Sequence, residues 1–525
     1  MTSREGLGDF VRFWGRAIPE NDAIIEGGAA TTWRELDERT SQLANGLRER
    51  GIGKGDRVGL IAPNCREYLE VVIAGFKIGA ITVPLNHRLT ASELGYIVQH
   101  SGCSMVIAHP TYTEVAGQAL DALANAAEHS PHRNVTRVGF DHGFGETLDS
   151  LYSEDRTDTD TPIDSDDVAF ICYTSGTTGR PKGAMLSHGN VLATAHYRNL
   201  ADDLGPRARL YLPAPLAFTG TLVMLWGVTY VGGGLTVLDT VSDARRSLEA
   251  IQQHRISHFT AVPVIWEGMV RDPDFASFDL SSLRTCITGG SNVSEAFLRS
   301  MWAAGLPVRN AYGLTEGASS TTWQSYDNSR QHPDSVGRAG IHNRIRIVDP
   351  ARDELFDLRV GDVGEVAVKG PEVMLGYWED PAATALTLVD GWLRTGDLGY
   401  LDEDGYLYIV GRSKDMFISG GLNVYPAEIE EVLIQIPGVD ECAVIGVNDD
   451  KWGETAAAII HSSASAQIDP GEVRDYCKNY LADYKLPRYV VVRQSPLPRN
   501  MSGKVLKWHL AKEYSEPTSL GPQLR

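Results

Sequence analysis

At 525 residues the chain is longer than the ~250–300 residues over which a single core grows, so about two or three domains are expected. Apolar residues make up 42%, which allows a sizeable core and argues against global disorder. A net charge of −20 argues against general binding to nucleic acid or anionic membrane, and makes any local basic cluster informative.

The N-terminal stretch MTSREGLGDFVRFWGRAIPEND has no apolar run of signal-peptide length. Residues 33–110 then alternate helix and strand signals. WRELDERTSQLANGLRERG carries Leu36, Leu43 and Leu47 near helical spacing, with Gly51 as a stop. RVGLIA, AITVPL and SMVIAH read as strands, separated by the helices REYLEVVIAGFKIG and ASELGYIVQHSG. Strands alternating with helices imply a largely parallel sheet. Residues 146–167 hold nine acidic residues and one basic one, and read as a solvated connector. DVAFICY follows as a buried strand, and SHGNVLATAHYRNLADDLG as a helix. Between them lies YTSGTTGRPKG, residues 173–183, placed between strand and helix where backbone N–H groups converge on an anion.

A second α/β stretch covers about 208–320, and glycine-punctuated segments from about 335 to 410 read as β-rich. After Arg412 the pattern restarts. YPAEIEEVLIQIPGV is a helix with Ile429, Val432, Leu433 and Ile436 on one stripe. The strands ECAVIGV and AAAIIH, the helix GEVRDYCKNYLADY and the strand RYVVVR complete a small α+β unit. The six cysteines are scattered without C-x-x-C or metal spacing, and read as reduced residues of a cytoplasmic protein. No stretch approaches the ~18 apolar residues of a membrane span.

The glycine–threonine loop suits phosphate but lacks the G-x-x-x-x-G-K-[ST] pattern of the common phosphate loop. Three more stretches accompany it: AYGLTEG (311–317), GWLRTGDLGYLDEDGYLYIVGRSKD (391–415) and LPRNMSGKVLKWHL (497–510). In this order the four resemble the adenylate-forming superfamily, which comprises acyl-CoA synthetases, peptide-synthetase adenylation domains and luciferases. The resemblance runs from about residue 10 to about residue 512.

The resemblance implies an enzyme that joins a carboxylic acid to the α-phosphate of ATP, releases pyrophosphate, and passes the acyl group to a thiol. It implies a clamp for the β- and γ-phosphates from Thr174, Ser175, Gly176, Thr177, Thr178 and Lys182. Hydroxyls and backbone N–H groups suit that role, and glycines let the backbone approach. Glu316, with Thr315 beside it, is implied as the catalytic and metal carboxylate, and Thr174 as its partner at Mg²⁺. One glutamate suffices because Mg²⁺ takes phosphate oxygens and water as well. Tyr312 and Gly289 are implied against adenine. Asp397 is implied on the ribose hydroxyls, with Arg412 in support. Lys504 is implied as the catalytic cation at the reacting carboxylate and α-phosphate. It stands in a stretch, 485–512, with seven basic residues and no acidic one.

Phe218, Thr219, Leu222, Gly290, Ser291 and Gly313 are implied around the acyl group, and Gly420 and Gly421 beside the pantetheine arm of CoA. The acyl stretch PLAFTG (215–220) departs from the P-L-F-H-x-x-G seen in many members; it is one residue shorter and carries no aspartate. Amino-acid-activating members use an aspartate there, so an apolar acid is expected: fatty, alicyclic, terpenoid or aryl. Lys414 matches the hinge position, where some relatives carry aspartate.

The fold class expected is α/β. A large N-terminal portion, 1–411, carries mainly parallel sheets and a β-rich subdomain. A hinge at 412–414 leads to a small mobile α+β domain, 415–525. ATP, Mg²⁺ and CoA are the expected co-substrates and metal, with no nucleic acid and no membrane span, and a homodimer is left open. The rival reading is an adenylation-only enzyme that hands its acyl group to a carrier protein or partner enzyme. No insertion of the kind fatty acyl-AMP ligases carry is evident, which favours CoA. A non-catalytic sensor is disfavoured because Lys504, Glu316 and Asp397 are all present.

Overall fold

The structure is a computed structural model that describes residues 6–126, 135–174, 180–290, 293–419, 422–449, 452–462, 468–499, 505–514 and 519–524. Helix Trp33–Glu49 begins where expected, because Thr32 and Glu35 form a reciprocal capping box. Gly51 follows it with φ of 77°, a left-handed value that glycine adopts without strain. The strands Arg57–Ile61, Ile81–Pro84 and Met105–Ala108 pair in parallel, as the alternation predicts. They form the middle of an eight-stranded sheet that ends on one side in Val168–Thr174, Lys182–Ser187 and Gly376–Tyr377.

The stretch 208–320, joined by the hairpin Asp22–Glu26 and Ala29–Thr32, makes a seven-stranded sheet, parallel apart from that hairpin. Arg344–Val348, Gly364–Lys369, Leu388–Val389, Trp392–Leu401 and Leu407–Arg412 form an antiparallel sheet. The C-terminal unit builds its own mixed sheet around Glu441–Asp449 and Gly453–His461. The protein is therefore α/β, with two mainly parallel sheets, a β-rich subdomain and a C-terminal α+β domain. Among the described residues no helix is long and apolar enough to cross a membrane.

One apolar cluster joins the two parallel sheets. It contains Ile24, Leu210 and Leu212 from one, and Leu60, Phe170 and Leu186 from the other. Helix Arg66–Ile78 contributes to it and is buried at every position from Tyr68 to Ile78. Asn64 ties the sheets directly. Its amide donates to the carbonyls of Leu212, Ala214 and Asp239, and its oxygen accepts from the Leu216 N–H at 2.8 Å.

Two expectations are corrected. Residues 146–167 are not a free solvated connector. Leu148, Leu151 and Thr159 are buried, and Asp158 pairs with Arg12 at 2.7 Å and lies 3.4 Å from the fully buried Lys77 ammonium. The acidic run is spent in part on cations from distant helices. The phosphate-type loop does not lead straight into a helix either. Lys182–Ser187 returns antiparallel beside Val168–Thr174, and helix His188–Asp202 starts only at the Ser187–Asn190 capping box. Gly183 permits the close return, since a Cβ there would lie 2.6 Å from Ile171 Cγ2.

The turn between Gly364–Lys369 and Gly376–Tyr377 joins the β-rich sheet to the edge of the eight-stranded sheet. Asn190 grips this turn by donating to the carbonyls of Pro371 and Val373. Within it Glu372 is buried, and its carboxylate has only its own backbone N–H and the Asn343 amide nearby, neither of which makes a well-formed hydrogen bond to it among the described residues. Both residues crowd Gly370, where a Cβ would lie 2.5 Å from Asn343 Oδ1 and 2.6 Å from Glu372 Oε2. Burial pushes the Glu372 carboxyl up to about 7. A raised folded-state value means the native state holds the proton more tightly. Stability is therefore fully present below the ordinary carboxyl range and is lost as pH climbs through about 7. Glu372→Gln should be the more stable protein at pH ~8, by on the order of 3 kcal/mol, with the gap closing at pH ~4. Thermal melts at the two pH values check this, and an equal difference at both would contradict it.

Candidate active site

The hairpin register places the first group of site residues. Thr174 and Lys182 stand directly opposite each other, so their side chains share one face of the sheet. On the far side of the second strand, Tyr377 pairs with Ala184, two residues from Lys182 and on the same face. The Lys182 ammonium lies 5.2 Å from the centre of the Tyr377 ring.

Glu316 reaches this face from the other parallel sheet. Strand Val308–Ala311 leads to Tyr312, and Glu316 sits in a single 3₁₀ turn, Thr315–Gly317. The strand is anchored by buried Arg309, which donates to Asp202 and to the Gln324 carbonyl. The turn is pinned by the Met374 N–H, which donates to the Glu316 carbonyl at 2.8 Å. Ala318 and Ser319 follow with φ of 46° and 63°, a strained exit that the surrounding contacts must hold. Gly313 allows the loop to fold back, since a Cβ there would lie 2.3 Å from the Ser319 carbonyl oxygen. The Glu316 carboxylate accepts from Tyr377 at 2.9 Å and from Thr174 at 3.4 Å, both on Oε1. Burial and the carboxylate together push the Tyr377 phenol up, so it stays a donor. Among the described residues no group of three or more His, Cys, Asp or Glu could hold a metal by itself. One carboxylate beside one hydroxyl fits Mg²⁺, which completes its shell with phosphate oxygens and water.

A second group lies on the β-rich sheet. Asp397 and Arg412 are cross-strand partners, and Arg412 Nε lies 2.9 Å from Asp397 Oδ1. Tyr312 donates to the other oxygen, Oδ2, at 2.7 Å. The carboxylate is nearly buried and held from both sides, yet each oxygen keeps a lone pair for a further donor.

The acyl stretch runs past the Asn64 clamp into a π-helix, Gly220–Gly227, a form that recurs at functional sites. Phe218 is half-buried, while Thr219 and Leu222 are buried. Gly289 closes strand Thr285–Gly289 against Ala311, and a Cβ there would lie 2.7 Å from the Ala311 oxygen. Gly290 has φ of 78° and faces open space.

Ser175, Gly176, Thr177, Thr178, Ser291, Gly420, Gly421 and Lys504 lie outside the described residues. Lys414 is exposed in the turn after Leu407–Arg412. The basic stretch around Lys504 is less free than its composition suggests. Lys485 pairs with Glu428, Arg493 with Glu513, Arg499 with Glu441 and Lys507 with Glu430, at 2.5–3.4 Å. Three of those four glutamates precede the stretch by more than forty residues, beyond any local count, and the fourth, Glu513, follows it directly. Sequence reasoning also missed Tyr377 and Asn64, neither of which sits in one of the four motifs.

Thr174 and Lys182 on facing strands, a carboxylate beside a hydroxyl, and a buried aspartate on a β-rich sheet suit nucleotide-dependent adenylate formation. A family model for AMP-binding enzymes matches residues 12–378, and one for the AMP-binding enzyme C-terminal domain matches residues 428–504. The chain belongs to this family, as one of the acyl-CoA synthetases of the adenylate-forming superfamily. It is 37% identical over 510 residues to a feruloyl-CoA synthase from Amycolatopsis sp, covering 97% of this chain and 99% of the relative. It is 36% identical over 515 residues to the long-chain-fatty-acid–CoA ligase FadD13 of Mycobacterium tuberculosis (strain ATCC 25618 / H37Rv), again over 97% of this chain and 99% of the relative. Its fold matches the crystal structure of ATP-bound MatB from Rhodopseudomonas palustris with a TM-score of 0.86 and 31% identity, over 98% of this chain and 100% of that one.

The Asp397 geometry generates a direct expectation. A hydrogen bond to a charged group is worth about 1.5–3 kcal/mol. If the free lone pairs of Asp397 hold the ribose, Asp397→Asn should raise KM for ATP roughly 10–100-fold. KM for the acid should move far less. Steady-state kinetics with each substrate varied in turn reads both, and an unchanged KM for ATP would remove Asp397 from the nucleotide site.

Proposed function

We propose that this acyl-CoA ligase activates a carboxylic acid with an apolar body. The carboxylate oxygen attacks the α-phosphorus of ATP, the bond between α- and β-phosphates breaks, and pyrophosphate leaves. The CoA thiol then attacks the acyl carbon, and AMP leaves. In the first step Thr174, Lys182 and the loop between them hold the leaving phosphates, and Asp397 with Arg412 holds the ribose. With its hydroxyl given to Asp397, Tyr312 offers its ring face to the purine. Glu316 and Thr174 would hold Mg²⁺, which would supply charge neutralisation on the phosphates. Lys504 supplies the cation at the reacting carboxylate.

The observation that carries the substrate class is the stretch 215–223, PLAFTGTLV, which contains no ionisable side chain. An ammonium group buried against it would go unpaired, at high cost. The two curated relatives named above act on ferulate and on long-chain fatty acids, which fits the same class.

The division into 1–411, a hinge at 412–414 and 415–525 belongs to the same proposal. Lys504 and the segment SGGLNVYP both follow Arg412 in the sequence. They serve different half-reactions, so the small domain turns between them, about the exposed Lys414.

A panel of acids assayed for pyrophosphate release and for CoA thioester tests this reading, together with Lys504→Ala. Apolar acids should pass both assays far better than free α-amino acids. Lys504→Ala should slow pyrophosphate release roughly 10²–10³-fold while leaving thioester formation from supplied acyl-adenylate intact. Preference for an amino acid would refute the apolar reading, and unchanged pyrophosphate release would remove Lys504 from the chemistry. Pyrophosphate release without CoA thioester for every acid would transfer the acyl group to a carrier protein instead.

A further inference from the structure

We propose that Tyr377 is a positioning residue for adenylation, orienting the Glu316 carboxylate through its hydroxyl while its ring seats the Lys182 ammonium. The inference rests on the reading of Glu316 as the metal carboxylate.

Tyr377 is held with unusual completeness for a residue outside the four motifs. Its strand pairs with Lys182–Ser187 through Gly376↔Met185 and Tyr377↔Ala184. The next residue, Trp378, donates its N–H to the Gly183 carbonyl at 2.7 Å and its indole N–H to the His100 carbonyl at 3.2 Å. The Tyr377 N–H donates to Thr384 Oγ1 at 2.9 Å. Gly376 has φ of 142°, and a Cβ there would lie 2.8 Å from Thr384 Cγ2, so the chain can enter this position only through a glycine. Backbone on both sides of the ring is therefore fixed against the hairpin that carries Thr174 and Lys182.

The hydroxyl is the informative part. The side chain is nearly buried, and a phenylalanine would fill the same space. The phenol instead spends its proton on Glu316 Oε1 at 2.9 Å, well inside hydrogen-bond range, whereas Thr174 reaches the same oxygen only at 3.4 Å. Tyr377 is thus the stronger of the two side chains orienting the carboxylate among the described residues. The ring below the hydroxyl faces the Lys182 ammonium at 5.2 Å. One residue thereby couples the position of the metal carboxylate to that of a cation at the phosphate loop. Partners that orient a ligating carboxylate are typically worth 10–100-fold in metal affinity or activity.

The test is Mn²⁺ binding in the presence of ATP without acid, followed by the electron paramagnetic resonance signal of free Mn²⁺. Wild type, Tyr377→Phe, Glu316→Gln and the double variant are compared. Phenylalanine keeps the ring, and a thermal melt confirms that the variant folds. Tyr377→Phe should weaken Mn²⁺ binding about tenfold in the Glu316 protein. In the Glu316→Gln background it should add less than about twofold, because the oriented group is gone. Wild-type affinity in Tyr377→Phe, or an equal loss in both backgrounds, would overturn the inference while leaving Glu316 as a ligand. No loss in Glu316→Gln alone would overturn the metal reading and this inference together.

Discussion

The antiparallel return of Lys182–Ser187 beside Val168–Thr174 is the constraint on which the site depends. It turns the edge of a parallel sheet into an open hairpin whose two arms point Thr174 and Lys182 to one face. A strand running straight into a helix would present one arm only. The hairpin also offers a free edge, and Gly376–Tyr377 takes it, bringing in a side chain from beyond the β-rich sheet. Glu316 arrives from the seven-stranded sheet, through a turn held at its carbonyl by the Met374 N–H. Three independently built pieces of backbone meet at one carboxylate oxygen.

The β-rich sheet supplies a different kind of fixity. Asp397 and Arg412 face each other across adjacent strands, and Tyr312 closes the carboxylate from the other side. This ties the end of the β-rich sheet to the loop that carries Glu316. Two residues after Arg412 comes Lys414, in the turn that leads to the C-terminal domain. On the proposed reading, the residue supporting the ribose, Arg412, would stand two residues before the point about which the small domain turns.

Much of this was legible because the relevant physics is local. Helix Trp33–Glu49 could be read from leucine spacing and its glycine stop, and the parallel strands from short apolar runs separated by helices. The residues Thr174, Lys182, Glu316, Tyr312, Asp397 and Arg412 stand in compact motifs, and the structure brings Thr174 to Glu316 and Tyr312 and Arg412 to Asp397. What escaped was non-local. KGAMLS carries no clear period-two alternation and abuts a strong helix start, so its pairing back onto Val168–Thr174 is not legible locally. Acidic residues at 146–167 were counted as solvated, though Asp158 lies against a buried lysine on another helix. The basic stretch at 485–512 holds no acidic residue of its own, yet four of its cations meet glutamates outside it. Tyr377 lies 61 residues beyond the glutamate it contacts, and no spacing rule links them.

The central claim is a two-step ligation in which the nucleotide site completes its chemistry before the thiol is engaged. Acid-dependent exchange of labelled pyrophosphate into ATP, measured without CoA, tests it most directly. The account predicts exchange with an apolar acid in the complete absence of CoA, and AMP as the nucleotide product once CoA is added. Exchange that requires CoA, or ADP as the product, would contradict it.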